Sequence, residues 1–198
     1  GREVLVELEI NSDKANRARI NQNPVRSQKE LFGIVQAVYF SPEDLDLVRG
    51  DPSERRKFID QLITLRSPRI AGVISDYERA LRQRNALLKS RSNPAALAPW
   101  DEQVAALGGE IIAFRLKGLL DFDPLFKEIY KEISSEKPAW IAYKSSIEEP
   151  STDPKINTEK IMERFTQTRS SEIERGLTLT GPHRDDLLLN LGEHLVKG

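Results

Sequence analysis

The spacing of hydrophobic and polar positions predicts strands near both ends of the chain and helices between them. Residues 4–10, VLVELEI, end in strict alternation, which predicts a strand with one wetter face because neighbouring side chains of a strand point to opposite sides. Residues 17–25 predict a short strand, a turn and a second strand. A short helix is predicted at residues 31–36 and a buried strand at residues 37–40.

Helical spacing governs the middle of the chain. One helix is predicted to open with Ser53 as its N-cap and to stop near residues 67–68, and a second to run from about residue 69 to 90. A third, long helix is predicted from about residue 99 to 134. A short proline-containing turn joins the last two, so we expect an antiparallel arm. The seam of the second helix that suits such pairing is Ile70, Ile74, Tyr77, Leu81 and Leu88.

The pattern returns to strands after the arm. Residues 139–144 and 186–191 predict strands, and residues 177–179 predict a further short one before the turn at residues 181–184. An acidic, proline-rich loop at residues 148–154 is predicted to be mobile. One more helix is predicted at about residues 158–174, with Ile161 and Phe165 facing inward and Gly176 as its C-terminal cap.

Composition excludes several classes of protein. The 198 residues suffice for one large domain or two small ones, and 38% hydrophobic residues can supply a core. No apolar run approaches the roughly 20 residues that cross a bilayer, and no leader-like segment opens the chain, so we expect a cytoplasmic protein that does not bind a membrane. With no cysteine and only two histidines, the chain has no disulfide and little with which to hold a metal.

Charge is distributed unevenly along the chain. The formal net charge is −1, yet residues 53–91 carry ten cationic and four acidic side chains, a net charge of +6 that leaves −7 for the rest. Phosphate neutralisation is local and does not require a high overall pI, so this asymmetry predicts a surface that faces a polyanion. The alternative is an arm with ordinary solvated arginines.

Three cations stand at the unfavourable end of the first helix. Arg55, Arg56 and Lys57 lie where unpaired amide N–H groups already leave partial positive charge, and Glu54 offsets them only in part. This placement predicts that the helix start faces an anion such as a phosphate. The alternative is a solvated basic turn.

Two separated motifs carry a resemblance to a known family. They are residues 39–60, YFSPEDLDLVRGDPSERRKFID, and residues 179–187, LTGPHRDDL. Between them, residues 81–89, LRQRNALLK, and residues 100–103, WDEQ, match the same pattern. In this order the motifs resemble the RecF family, and the resemblance covers nearly the whole chain.

The resemblance implies a fold. RecF-family proteins are similar to ABC-type ATPases of the SMC group, whose site requires a G-x-x-x-x-G-K-[ST] phosphate loop, a signature segment and an acidic strand. The chain contains no Gly-Lys-Ser or Gly-Lys-Thr. We therefore expect an internal α+β fragment, with the phosphate loop before Gly1 and the other two motifs after Gly198. Its parts would be strands of the ATPase head (residues 1–52), a helical lobe with an antiparallel two-helix arm (53–136), and strands and a helix returning to the head (137–198).

The resemblance also implies a function. The parent protein would bind ATP and Mg²⁺, dimerise on DNA at gaps, and promote RecA loading with RecO-like and RecR-like partners in DNA replication, recombination, repair and the SOS response. The fragment alone should neither hold these cofactors nor hydrolyse ATP. The predicted phosphate contacts to DNA are Arg55, Arg56, Lys57, Arg82 and Arg84. The alternative function is a protein interaction module of an SMC-like ATPase. A purely structural SMC arm is disfavoured, because about three or four heptads make it short.

Four further residues are predicted beside the nucleotide. Glu43 follows the predicted buried strand where related ATPases present a loop to the γ-phosphate, although it could instead cap the turn that follows it. For His183, Arg184 and Asp185 three interpretations remain: a metal or nuclease site, a structural turn in which Arg184 pairs with a carboxylate, and a loop adjacent to nucleotide or DNA. Paired neighbouring carboxylates rarely converge on one ion, which disfavours the metal site.

Overall fold

The computed structural model describes residues 3–31, 34, 41–91, 93–134 and 137–196. Near the start of the chain, three short antiparallel strands form one sheet: β1 (Val6–Glu9), β2 (Arg17–Ile20) and β3 (Asn23–Pro24). Glu7 lies opposite Arg19 and Glu9 opposite Arg17, and such opposite charges stabilise a strand pair. The predicted strand–turn–strand is confirmed, whereas β1 is shorter than predicted.

The segment that follows lies partly outside the described residues. A 3₁₀ helix spans Gln28–Leu31, but the rest of the helix predicted at residues 31–36 lies outside that part of the chain, apart from Ile34, and so does the strand predicted at residues 37–40. A second 3₁₀ helix, Pro42–Leu45, leads directly into a single turn of α-helix, α1 (Asp46–Arg49).

The first long helix starts earlier than predicted. Helix α2 spans Pro52–Arg66, so its N-cap is Asp51 and the expectation that Ser53 caps it is wrong. The physical reason is Pro52, whose fixed φ and missing N–H suit the first helical position and make the residue before it the cap. The helix ends at Ser67 as predicted, and it buries Ile59 and Ile63.

Helices α3 (Arg69–Lys89) and α4 (Pro94–Ile133) form the predicted antiparallel arm. Arg84 contacts Asp101 while Arg69 contacts Glu110, so residue numbers rise along α3 as they fall along α4. Helix α4 begins five residues before the predicted position, because the side chain of Asn93 accepts a hydrogen bond from the backbone N–H of Ala95 and caps it there.

A third helix packs against the predicted two-helix arm. Helix α5 spans Pro154–Arg175 and ends at Gly176, whose φ of 63° is left-handed as its predicted capping role requires. Its Asn157 donates to the carbonyl of Gly109 on α4. A side chain at position 109 would collide with α5, since a Cβ there would lie 2.6 Å from the carbonyl oxygen of Pro154. Gly109 therefore lets the third helix pack closely against α4.

The second sheet is formed by strands from the last third of the chain. Strand β4 (Ala139–Lys144) pairs antiparallel with β5 (Asp186–Leu191), and β5 pairs with β6 (His194–Leu195). Residues 177–179 do not form the predicted strand, because the arm takes their hydrogen bonds: the backbone N–H of Thr178 donates to Asn85. The loop predicted to be mobile is hydrogen-bonded to α5, with Lys160 donating to the carbonyls of Glu148 and Glu149.

The hydrophobic core lies where α2, α3, α4, α5 and β5 meet. Its large buried side chains include Ile59, Ile63, Ile70, Tyr77, Val104, Ile111, Ile112, Ile161, Phe165 and Leu187. Among the helices that the structure describes, none is both long enough and apolar enough to cross a membrane.

Candidate nucleic-acid interface

The start of α2 is attached to β5 by its first arginine. Arg55 donates from Nε and Nη2 to the two carboxylate oxygens of Asp186, at 2.7 and 3.1 Å, and from Nη1 to the carbonyl of Gly50 at 2.9 Å. The hydrogen bond to Asp186 raises the pKa of Arg55, and the side chain is only 14% exposed. A bidentate pair of this kind is among the stronger charge-assisted contacts. Arg55 therefore positions the helix and presents little charge to solvent.

The next two cations face different surroundings. Arg56 is half-buried and donates to the carbonyl of Asp185 at 2.9 Å, and its pKa is lowered by burial and by the nearby charge of Arg115. Lys57 is 66% exposed and lies 3.7 Å from Glu54, one helical turn away. Of the three predicted contacts on α2, Lys57 is the one that solvent reaches freely.

The two arginines predicted on α3 have opposite surroundings. Arg82 is 69% exposed, with only a 4.0 Å approach to Glu78. The side chain of Arg84 has no exposed surface, so the prediction that it contacts DNA phosphate is wrong.

Two other helices and one loop hold Arg84. Its guanidinium donates at 2.7 Å to Asp101 of α4, to Glu172 of α5 and to the hydroxyl of Thr178. The guanidinium carbon also lies 3.8 Å from the ring centroid of Phe165. The sequence contained a signal for this burial, since consecutive positions of the predicted seam are seven apart between Leu81 and Leu88, and position 84 fills that gap.

The turn at residues 181–184 is anchored through its histidine. His183 places Nδ1 2.6 Å from the hydroxyl of Tyr77 and Nε2 3.1 Å from the carbonyl of Thr178. Because a carbonyl only accepts, Nε2 carries the proton and Nδ1 accepts from the tyrosine. Burial lowers the pKa of His183 to about 4, so the neutral ring is the form the fold requires. Gly181 has a φ of 132°, and a side chain there would meet the Tyr77 hydroxyl.

The aspartate of the turn is a buried acceptor. Asp185 accepts from the hydroxyl of Tyr143 at 2.5 Å and from the backbone N–H of Ser146 at 2.6 Å. Burial raises the pKa of Asp185. Arg184, by contrast, is exposed and donates from Nε and Nη2 to the carbonyl of Thr178, so the predicted pairing with a carboxylate is replaced by pairing with a carbonyl. Within the described residues, no three His, Cys, Asp or Glu side chains are arranged to hold a metal ion.

Arg115 is a central residue that the sequence analysis missed. This buried arginine of α4 donates from Nε and Nη2 to Asp60 of α2, both at 2.8 Å, and from Nη1 to the carbonyl of Pro182 at 2.7 Å. It thereby connects the long helix, α2 and the turn. The available signal was a single arginine inside the otherwise apolar run IIAFRL at residues 111–116.

A groove of about 1180 Å³ runs between α2 and α3. The polar residues that line it include Arg56, Lys57, Tyr77, Arg115 and His183. Its apolar lining comes from Phe58, Leu62, Leu65, Ile74, Leu81 and Phe122. The groove is thus a concave surface that combines cations with apolar side chains.

Glu43 lies apart from this network in the 3₁₀ helix before α1. It is exposed, and a hydrogen bond with Ser41 lowers the pKa of its carboxyl. The backbone N–H of Ser41 donates to the carboxylate of Asp44 at 2.6 Å. Asp44 therefore caps the start of this 3₁₀ helix, and Glu43 is hydrogen-bonded back to Ser41.

Sequence comparisons with known proteins indicate which proteins this chain is similar to. No family model matches the chain. It is 44% identical over 227 residues to the DNA replication and repair protein RecF of Rhodococcus erythropolis, covering 100% of this chain and 55% of that protein. The corresponding RecF of Streptomyces avermitilis is 44% identical over 208 residues, covering 100% and 56%. The chain therefore spans about half the length of these relatives.

Solved structures give the same result. The chain matches the recombination mediator protein RecF-ATPrS in the RecFOR pathway with a TM-score of 0.85 and 26% identity, covering 96% of this chain and 52% of that one. A RecF-ATP structure matches with a TM-score of 0.84 at the same identity and coverage. The mixed helices and strands thus have the fold of part of an ABC-ATPase-like protein. Within that class the chain matches the RecF family along its whole length, which confirms the resemblance predicted from its two motifs.

Proposed function

We propose that the chain is the DNA-binding part of a RecF-like repair ATPase. The observation that supports this most directly is the 44% identity along the entire chain to proteins named for DNA replication and repair. The parent protein would bind ATP and Mg²⁺, dimerise on DNA at gaps in the cytoplasm, and act with RecO-like and RecR-like partners to load RecA. The names of the matched structures, with ATP and the RecFOR pathway, support this assignment.

The division of labour within the chain is part of this proposal. Residues 53–136 would form the helical lobe, and the strands of residues 1–52 and 137–198 would complete the ATPase head. The turn at residues 181–184 would lie near nucleotide or DNA, with Arg184 as its exposed side chain and with His183 and Asp185 holding its shape. Glu43 would lie on the nucleotide side.

Lys57 and Arg82 are the proposed phosphate contacts with the most exposed charge, and Arg56 would support them from the groove. Both exposed cations approach a glutamate only loosely, Lys57 at 3.7 Å and Arg82 at 4.0 Å. Exposed pairs of this kind are worth about 0–1 kcal/mol. A phosphate can therefore replace the glutamate at little cost.

Charge reversal in the intact protein tests the proposal. Lys57→Glu combined with Arg82→Glu should weaken binding to duplex DNA and lower the slope of log affinity against log salt by about 2, since each lost phosphate contact removes about 0.9. Lys117→Glu with Lys155→Glu changes two exposed lysines elsewhere and is the control of equal charge. Equal DNA affinity of the two variants would remove Lys57 and Arg82 from the interface, and an unmodified protein that binds no DNA would refute the proposed function.

One observation favours a second function, an interaction module for a protein partner. Apolar side chains are among those that line the groove between α2 and α3, and a protein segment could cover them. A pull-down after nuclease treatment separates the two functions. A partner held through this groove stays bound after the nucleic acid is removed, and Leu62→Glu at the groove should release it.

A further inference from the structure

In the structure, most cations of residues 53–91 are paired. Eight of its ten cations have a carboxylate or carbonyl partner, and two have no side-chain partner among the described residues. The eight are Arg55, Arg56, Lys57, Arg66, Arg69, Arg79, Arg82 and Arg84. The two without a partner are Lys89 and Arg91, and both are exposed. The free positive charge of this segment is therefore concentrated at its end.

The fold adds a third cation that is distant in sequence. Helices α3 and α5 both run antiparallel to α4, so their C-terminal ends lie at the same end of the arm. The backbone of Gly176 packs against Lys89, because a Cβ on that glycine would lie 2.9 Å from Cγ of the lysine. Arg175 directly precedes this glycine, is exposed, and likewise has no side-chain partner among the described residues. We call Lys89, Arg91 and Arg175 the cationic tip.

The backbone at the tip carries a second unusual feature. Arg91 has a φ of 50°, in the left-handed region that glycine or asparagine adopts at lower cost. A non-glycine residue in that region is worth a functional explanation when its side chain makes no compensating contact. Here the side chain extends from the end of α3 without a partner in the described chain, which is consistent with a role towards an external ligand.

We propose that the cationic tip binds the phosphate backbone of DNA as a surface separate from the start of α2. The inference rests on the proposed function and extends it to residues 89, 91 and 175. Thr178, two residues after Gly176, holds this end of the arm together, since its N–H donates to Asn85 on α3 and its carbonyl accepts from Arg184. Glu174 is the acidic side chain next to Arg175, so the tip itself keeps a positive charge.

The chemistry of the tip favours nucleic acid over a protein partner. Its exposed neighbours, Ser90, Asn93 and Glu174, are polar, and the apolar side chain beside them is Leu177, 40% exposed. Protein interfaces are usually centred on buried aromatic or apolar residues and are depleted in lysine. Long cationic side chains that project from a polar end can instead follow phosphates. With about 1.5 Å of rise per helical residue, Arg82 and Lys89 span roughly 10 Å, the length of about three base pairs.

Neutralisation of the tip in the intact protein tests this inference. The variant carries Lys89→Gln, Arg91→Gln and Arg175→Gln, and the control carries Lys117→Gln, Lys144→Gln and Lys155→Gln, which removes the same charge from other exposed positions. Binding to a fluorescent DNA duplex is followed by anisotropy from 50 to 200 mM salt. The tip variant should bind about tenfold more weakly at 100 mM salt, with a salt slope lower by about 2 to 3, because three phosphate contacts are lost. The control should bind like the unmodified protein.

The outcomes separate this inference from the proposed function. If the unmodified protein binds DNA and the tip variant binds it as well as the control does, the tip is not a DNA surface. Loss of an acidic protein partner by the tip variant would not change that conclusion. If the unmodified protein binds no DNA, the proposed function itself fails and the inference fails with it. A second variant, Arg91→Lys with Arg175→Lys, keeps the charge and should bind within about twofold of the unmodified protein. Loss of binding in that variant would indicate a structural defect and would overturn the electrostatic explanation.

Discussion

The interior of the three-helix arm and its outer surface use arginine in opposite ways. Arg84 lies inside with no exposed surface and contacts two carboxylates, whereas Arg82, two residues earlier on the same helix, lies outside and is 69% exposed. Inside the arm, charge is cancelled and hydrogen bonds fix the position of three helices. Outside, charge is paired loosely or left free, so it remains available to an external anion. A count of cations along the sequence therefore overstates the charge that a ligand can reach.

The largest expected effect is the loss of the interior arginine. Arg84→Met leaves Glu172 buried without a cationic partner and Asp101 with Arg169 as its remaining partner, so we expect the free energy of unfolding to fall by about 3–5 kcal/mol. Arg82→Met is the matched exterior change and should stay within about 0.5 kcal/mol of the unmodified protein. Urea unfolding followed by circular dichroism measures both. Similar values for the two variants would mean that the buried cluster does not hold the arm together.

Replacing one interior and one exterior glycine by alanine tests the same difference between the inside and the outside of the arm without any change in charge. Gly109→Ala places a Cβ 2.6 Å from the carbonyl oxygen of Pro154, so α4 and α5 must separate and stability should fall by about 2 to 3 kcal/mol. Gly72→Ala lies on the outer face of α3 with nothing within 4 Å of the new Cβ. It should raise stability by up to about 1 kcal/mol, because alanine favours a helix over glycine. Thermal melting of both variants checks the opposite signs, and a neutral Gly109→Ala would contradict close packing of α5.

The buried histidine makes the interior sensitive to pH. Its ring takes up a proton near pH 6.5 when the chain is unfolded but only near pH 4 when it is folded. The stability that neutral His183 provides is therefore complete above pH 6.5 and is lost as the pH falls towards 4. Between pH 7 and pH 5 this loss is about 2 kcal/mol.

The His183→Gln variant isolates that contribution. The stability difference between the unmodified protein and this variant should shrink by about 2 kcal/mol from pH 7 to pH 5. Asp185 has a raised pKa and acts in the opposite direction, but it is present in both proteins and cancels in the comparison. His194→Gln, in the exposed strand β6, is the control and should keep the pH profile of the unmodified protein. A constant difference across this range would show that the ring is not held neutral.

The smallest expected effects on stability are those of replacing two nearby cations at the start of α2. Arg55→Ala removes a pair with Asp186 in which both side chains are less than one-fifth exposed, at 14% and 17%, and should lower stability by about 1 kcal/mol or slightly more. Lys57→Ala removes an exposed charge and should change stability by less than about 0.5 kcal/mol. Their DNA affinities should rank the other way, with Lys57→Ala the weaker binder. A reversed ranking in both assays would exchange the roles assigned to the two residues.

The lengths and periods of the elements were largely predictable. Strands β4 and β5 have the predicted bounds, α3 differs by one residue at its end, and Gly176 ends α5 as expected. The predicted starts of α2 and α4 were wrong, because the N-caps are Asp51 and Asn93. The position of an N-cap depends on one local hydrogen bond or one proline. The strand predicted at residues 177–179 failed for another reason, since the side chains of Asn85 and Glu172 in the arm accept hydrogen bonds from its backbone N–H groups.

The candidate site was less predictable than the fold. The sequence identified the cationic segment and the turn at residues 181–184, and its two motifs identified the family. It did not reveal that Arg115 joins α2 to the turn, or that Arg84 is internal, because both depend on carboxylates 17 to 88 residues away in the chain. The local sequence around a helical arginine is the same whether the fold brings a distant carboxylate to it or leaves it in solvent.

The sequence by itself determined the order of strands and helices, the antiparallel turn of the arm, and the amount of positive charge between residues 53 and 91. Only the tertiary structure decided that a third helix covers the arm, that most of that charge is paired, and that Arg175 joins Lys89 and Arg91 at the tip. The physical reason is the range of the forces involved. Helical and strand periods are local properties of the chain, whereas burial and ion pairing depend on which distant surfaces come into contact.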